Sequence, residues 1–431
     1  MWCERPSHRR GSGQSSLPSH RDRWPRSQIA EKNPITDPID GAATNNGGMH
    51  MPKRPDSISR QELLRRGAEI AQFCAAHAAE LDQSGSFPEK EFAKIISHGL
   101  LVAPLSSELG GLGLGFESQS IKSLLGLLQL LGKSNLSVGR IYEGHVNGLQ
   151  LIQTFGRPEQ VKNFARDAGR QKIFAVWNAE AADGLKIQPL ADGKYELTGA
   201  KTFCSGAGSV DRPLVGGILP DGKHQLCVVP MDQVQTKIDP TWWTATGMRG
   251  SVSAKVDFSG VILDESWMIG NPNDYPREPW LSLGVIRFAA VQLGGAEALL
   301  EVTRRFLQKL NRTSDPHQIA RIGQMALLIE TGRLWLGGAA RKVRAFAPIF
   351  GGDPFSTRKN SKELTVYANM VRTSIEQVAM ETINHAERCL GTRGLLPPEP
   401  AERIIRDLRL YLRQPCFDAA LVDAGAFHLA N

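Results

Sequence analysis

The residues best suited to chemistry lie in one short stretch, Arg140-Ile141-Tyr142-Glu143-Gly144-His145-Val146-Asn147. Arg140, Glu143 and Asn147 stand at i, i+3 and i+7, so a helix places them on one face while His145 points elsewhere. Burying a guanidinium, a carboxylate, an imidazole and an amide among apolar turns is costly without a purpose. The pattern suggests Glu143 as an acid/base or substrate-binding group whose charge Arg140 sets, with His145 and Asn147 as further substrate-binding candidates. A structural Arg140–Glu143 pair accounts for the same spacing. A second constellation runs Arg403-Ile404-Ile405-Arg406-Asp407-Leu408-Arg409. Arg403 and Asp407 are four apart and face each other on a helix, which by itself describes an ordinary solvated or packing face as well as a site.

The elements that must position these groups follow from periodicity. From Ser57 to about Gly169 the pattern is helical. Ser59 with Glu62 reads as a capping box opening a helix to about Leu81. A helix over 89–98 follows, then a glycine-rich loop, two long helices ended by Gly156, and a short helix from Pro158. Between Ile173 and Trp267 the period becomes two. Tyr195–Thr198, Gln225–Val229 and Ala254–Phe258 alternate as half-buried strands, with turn signals at Asp192-Gly193 and Asp221-Gly222. From Trp280 onward helical segments over 281–310, 317–347, 361–390 and 401–413 suggest a four-helix bundle. The expected fold is α+β and mostly α. It comprises a tail (1–55), an N-terminal helical domain (56–170), a small antiparallel β domain (171–275) and a C-terminal bundle (276–431).

The chain has 431 residues and a formal charge of +7. Nine basic and five acidic residues fall within 1–55, so the remainder is close to neutral for its size. No stretch interleaves basic and aromatic residues, which argues against nucleic-acid binding. No uninterrupted apolar run suggests a membrane span. The six cysteines are scattered without metal-ligand spacing, so no metal site is expected and a cytoplasmic setting fits. Residues 1–55, rich in Ser, Arg, Pro and Gly, are expected to be disordered; Met49 or Met51 is a plausible alternative start.

Three motifs carry a resemblance to the acyl-CoA dehydrogenase superfamily. The first is Gly99-Leu100-Leu101 with Pro104 and Glu108-Leu109-Gly110-Gly111-Leu112-Gly113. The second is Leu197-Thr198-Gly199-Ala200-Lys201-Thr202-Phe203-Cys204-Ser205-Gly206-Ala207. The third is Thr246-Gly247-Met248-Arg249-Gly250-Ser251. The Arg403–Arg409 helix completes the series in the right order, and the resemblance covers roughly residues 57–425. The second motif is similar to the family strand whose aromatic and hydroxyl residues touch a flavin, so the resemblance implies cofactor contacts at Phe203, Cys204 and Ser205; a plain core strand is the simpler reading. Its Phe-Cys-Ser-Gly-Ala form is closer to the family's flavin monooxygenase branch. The third motif implies substrate contacts at Met248, Arg249 and Ser251.

The departures matter as much. Trp177-Asn178 stands where the family has its flavin-side Thr, and implies a flat ring and an amide beside the cofactor, or only a packing Trp and a turn Asn. The family's arginine loop, which reaches a neighbouring subunit's FAD, is shortened around Arg312. Gly391 and Gly394 persist from a glycine-rich segment that implies an adenine or pyrophosphate contact, and both also suit a helix end. Both positions where the family carries its catalytic base lack a carboxylate: Arg413-Gln414-Pro415-Cys416, and Leu283–Phe288 on the first bundle helix.

The resemblance implies an FAD-dependent oxidoreductase, a homotetramer or dimer, acting on an acyl-CoA or acyl-like small molecule, with a relocated base at Glu143. One alternative is a monooxygenase using oxygen and a flavin such as FMN supplied reduced. Another is a flavin-binding or structural homologue without activity. The electron partner is left open.

Overall fold

A computed structural model describes residues 59–345, 358–413 and 417–430. The tail over 1–55 and the segment Gln414-Pro415-Cys416 lie outside the described residues.

The N-terminal helical region contains α1 (Arg60–Ser84), α2 (Glu89–Ser97), α3 (Ile121–Ser134), α4 (Leu136–Phe155) and α5 (Pro158–Gly169). Ser59 caps α1 by accepting the Glu62 N–H at 3.1 Å, but the Glu62 carboxylate turns to Arg65 and Arg66, leaving half a capping box. Gly85, with φ at 60°, terminates α1 in the left-handed conformation that glycine adopts without strain. Gly156 caps α4, as its position in the sequence suggests.

The middle region is a single sheet of β1 (Phe174–Trp177), β2 (Glu180–Pro189), β3 (Lys194–Cys204), β4 (Arg212–Ile218), β5 (His224–Val228), β6 (Lys237–Asp239), β7 (Ala254–Asp257), β8 (Val261–Asp264) and β9 (Met268–Ile269). The strand order is β6-β7-β3-β2-β4-β5-β9, with β1 on β4 and β8 on β3. The sheet is mixed rather than purely antiparallel: β1 and β2 both run parallel to β4. The β2–β3 hairpin lies between β1 and β4 in the chain, and it supplies the long connection that a parallel pairing requires.

The C-terminal region packs α6 (Trp280–Lys309), α7 (Pro316–Ala345), α8 (Arg358–Gly394) and α9 (Ala401–Tyr411), joined by a further helix, α10 (Phe417–Ala430). α6 is long and apolar enough to cross a bilayer, but most of that apolar window is buried inside the fold, as expected of a bundle's central helix. One hydrophobic core runs from α1 through the sheet to α9. The three regions thus meet along α4, β1 and α6.

Candidate functional site

α4 begins at Asn135, whose side-chain oxygen accepts the Ser137 and Val138 N–H groups. It lies flat on β1 because Gly148 presents no side chain; a Cβ there would stand 3.1 Å from that of Phe174. α6 approaches closely as well, since a Cβ on Gly139 of α4 would stand 2.7 Å from Val291 Cγ1. These close approaches bring Arg287 of α6 onto the polar face of α4.

Arg140, Glu143 and Asn147 do share that face. Arg140 Nη1 donates to Glu143 Oε2 at 2.6 Å, and Arg287 Nε stands 3.5 Å from Glu143 Oε1. Arg287 also donates to Gln150 Oε1 at 2.6 Å and to Asn147 Oδ1. Both oxygens of the buried Glu143 therefore face guanidinium groups, which suits a counter-ion better than a proton acceptor. Arg287 was missed by sequence reasoning, which searched α6 for a carboxylate and passed over the cation.

His145 spends both ring nitrogens on the protein's own backbone. It is fully buried; its Nε2 donates to the Leu101 carbonyl at 2.7 Å and its Nδ1 accepts the Phe174 N–H at 3.1 Å. Burial, opposed by the bond to Leu101, pushes its pKa down to about 4. The ring is a neutral strut tying α4 to β1 and to the turn after α2.

The strand β3 sorts its candidates by alternation. Phe203 points outward, 54% exposed, with a backbone φ of 53° that a bulky residue rarely adopts. Its ring meets Trp242 edge-on at 4.8 Å and Trp243 at 6.1 Å. Cys204 points the other way, fully buried, with its thiol pushed up by burial, and packs the core. Ser205 Oγ lies 3.2 Å from Ser253 Oγ, which lies 2.9 Å from Ser251 Oγ, forming a small hydroxyl cluster.

Trp177 is a packing residue rather than an exposed platform. It is 1% exposed, and its Nε1 donates to the Ser205 carbonyl at 3.0 Å, so it supports the strand from behind. Asn178 Oδ1 meets His224 Nε2 at 3.4 Å, across Gly216, where a Cβ would collide with both side chains. His224 is 8% exposed, its Nδ1 has no hydrogen-bond partner, and burial together with Lys201 pushes its pKa down to about 4. No spacing pattern marks His224 in the sequence; only the sheet register brings it to Asn178.

The turn 246–252 is held by α9. Met248 and Val252 both adopt positive φ, 55° and 44°. The Met248 N–H donates to Asp407 Oδ1 at 2.6 Å, and Arg406 donates to the Thr246 carbonyl while pairing with Asp82 at 2.7 Å. Gly247 makes this possible, because a Cβ there would stand 2.7 Å from the Arg406 carbonyl oxygen. Met248 and Ser251 are 4% and 1% exposed, so they build the turn and do not present themselves to a substrate. Arg249 is exposed and donates to the Gln83 carbonyl at 3.1 Å. It lines, with Trp243, Thr244, Thr246, Glu402 and Arg406, a cavity of about 670 Å³ beside the Phe203 aromatics.

Arg312, Gly391 and Gly394 gather at one end of the bundle. Arg312 is exposed on the link between α6 and α7. Gly391 is an exposed kink with φ at 54°, whereas Gly394 is buried because a Cβ would stand 3.1 Å from the Phe306 ring. Among the described residues, no hydrogen bond or ion pair connects these three to Phe203 or Ser205 within one chain.

The fit of a flavin can be judged from these groups. Phe203, at a positive φ, forms an aromatic edge with Trp242 and Trp243, the buried Trp243 Nε1 has no hydrogen-bond partner, and Arg249 supplies positive charge to the adjoining cavity, where Arg406 is already paired with Asp82 and Glu402. Aromatic faces, spare donors and cationic charge are what a flat heteroaromatic phosphate requires.

Residues 60–170 match the family model "Acyl-CoA dehydrogenase, N-terminal domain". The dibenzothiophene monooxygenase of Mycolicibacterium goodii is 24% identical over 391 residues, covering 84% of this chain and 92% of the relative. The probable FMNH2-dependent monooxygenase SfnC of Pseudomonas putida is 21% identical, covering 89% and 97%. The FMN-bound crystal structure of TdsC from Paenibacillus sp. A11-2 superposes with a TM-score of 0.77 at 22% identity, covering 85% of this chain and 97% of that one. Residues 60–170 thus carry the acyl-CoA dehydrogenase N-terminal domain pattern, and the helical, mixed-sheet and bundle regions follow in the order of the fold that this solved structure shares.

Proposed function

We propose that this protein is a flavin-dependent monooxygenase taking reduced FMN, rather than an acyl-CoA dehydrogenase with a relocated base. The observation that carries this reading is the state of Glu143. The one carboxylate on the polar face of α4 is clamped by Arg140 and Arg287, and α6 carries a guanidinium at Arg287 in place of a base. Desaturating an acyl thioester requires a group to remove a proton, whose loss typically costs about 10²–10⁴-fold in rate; oxygenating a substrate does not. The monooxygenases among its relatives support the same choice.

Phe203, Trp242 and Trp243 would pack on the flavin ring, Ser205 would offer it a hydroxyl, and Arg249 would meet its phosphate. Bound there, a reduced flavin would supply the two electrons that, with two protons, let one atom of dioxygen enter the substrate and the other leave as water. The protein's own contribution is orientation and exclusion of water. Trp177 and the Ser205–Ser253–Ser251 hydroxyls fix β3, and α9 fixes the turn opposite. FMN rather than FAD fits best, because Arg312 and Gly391 lie apart from this edge within one chain. Exposed Ile319, Leu327 and Leu334 on α7 suit a homo-oligomer.

The test combines the purified protein with FMN, an NADH-driven flavin reductase and labelled oxygen, using indole and dibenzothiophene as probe substrates. Label in an oxygenated product is expected. Anaerobic reduction of the bound flavin by an acyl-CoA, with no labelled product, would overturn the reading in favour of the dehydrogenase. Failure to take up any flavin would favour an inactive homologue.

A further inference from the structure

The polar cluster between α4 and α6 does not balance its charge. Arg140 and Arg287 contribute two guanidinium groups, and Glu143 is the only carboxylate among the described residues within ion-pair distance of either. Glu278, at the start of α6, accepts the Ser282 N–H and touches neither arginine. Two tyrosines lie close, but neither supplies the missing charge. Burial pushes Tyr275 up to about 12 and raises Tyr411 as well, so both remain neutral phenols. Arg287 is 6% exposed and burial lowers its pKa despite Glu143, whereas at Arg140 burial is outweighed by the favourable partners, Glu143 foremost, which raise it, so Arg287 is the less compensated of the two. An uncompensated buried guanidinium is costly, and a bound anion removes that cost.

The cluster is also reachable. The Arg140 side chain keeps 25% of its surface exposed. Two glycines flank the guanidinium groups. A Cβ on Gly144 would stand 3.6 Å from Arg140 Nη1, and one on Gly284 would stand 3.7 Å from Arg287 Nη2. The amide of Asn147, which accepts from Arg287, lies partly exposed between them.

We propose that the partly exposed polar cluster between α4 and α6 binds an anionic group, a carboxylate or sulfinate, through Arg140 and Arg287, and that Glu143 is the counter-ion setting the strength of that binding. A single negative charge brings the cluster to neutrality, and the forked donors of arginine suit a two-oxygen anion. Naming this anion as part of the substrate rests on the oxygenase reading; the binding itself does not.

The experiment is calorimetric titration of the flavin-free full chain with paired probes: acetate and acetamide, methanesulfinate and dimethyl sulfone, benzoate and benzamide. At least one anion is expected to bind more than tenfold tighter than its neutral partner. Arg140→Gln and Arg287→Gln should each abolish that preference; Arg140, being partly exposed, guards against a variant that fails to fold. Glu143→Gln should strengthen anion binding several-fold, because it raises the cluster's excess positive charge. If no anion outbinds its neutral partner, or the preference survives in both arginine variants, the proposal is overturned. Because no flavin or turnover enters the measurement, this outcome is separable from failure of the oxygenase reading.

Discussion

The Asp407 carboxylate accepts the Met248 N–H at 2.6 Å, so the last helix of the bundle holds a strained turn of the β region in place. Burial, opposed by the Met248 bond and by Arg403, pushes the Asp407 carboxyl up to about 6 from its ordinary 3.8. A carboxyl raised in the folded state contributes its stability below its unfolded pKa and loses it as pH rises through the folded one. The loss, about 3 kcal/mol, falls between roughly pH 4 and 6. Asp407→Asn retains an acceptor oxygen without the charge. Its stability relative to the parent should therefore improve between pH 4.5 and 7.5 in thermal unfolding, and a difference independent of pH would refute this.

That relationship shows what the sequence could and could not convey. The Arg-x-x-Arg-Asp-x-Arg run is legible as a helix, yet the side chain within ion-pair distance of Asp407 is Arg406, at 3.8 Å, not the Arg403 that the helical repeat suggests. The grip of Asp407 on Met248, 159 residues earlier in the chain, depends on how the bundle docks on the sheet. The same limit hid Arg287 and His224. Periodicity places a residue on a face, but only packing decides which other face it meets. Trp177, His145 and Cys204 are buried for a related reason: motif position marks a region of the chain, whereas strand alternation and helix rotation turn these side chains into the core.

His145 should make the fold acid-sensitive. Its pKa is depressed by burial to about 4 from 6.5. The group's contribution is complete above pH 6.5 and is lost as pH falls through that value toward 4, for about 3 kcal/mol. His145→Gln still offers a donor toward Leu101 but leaves the Phe174 N–H without its acceptor, costing about 1–3 kcal/mol at pH 7.5. Denaturant unfolding of the two proteins should converge as pH drops to 4.5. A gap that stays constant would show that His145 does not titrate as a buried strut.

Phe203 combines a left-handed backbone with a half-exposed ring, an arrangement that burial does not explain. Phe203→Gly relieves the backbone, with strain of about 1–3 kcal/mol to release. It also removes the aromatic surface, worth about 0.5–1.5 kcal/mol in ring contacts. The variant should unfold at the same temperature as the parent or higher, while binding FMN several-fold more weakly by quenching of flavin fluorescence. Unchanged FMN affinity would move the flavin away from this edge.

Glu143 separates two chemistries most directly. A general base there predicts that Glu143→Gln lowers turnover by about 10²–10⁴-fold. A counter-ion clamped by Arg140 and Arg287 predicts a structural effect, because removing one partner of a buried pair strands the others, for about 3–5 kcal/mol. With product formation normalised to folded protein, the variant should retain turnover within tenfold while its unfolding midpoint falls. Glu143→Asp, which preserves the charge, should recover part of the stability. Loss of turnover by a hundredfold or more at unchanged stability would return the carboxylate to the chemical step.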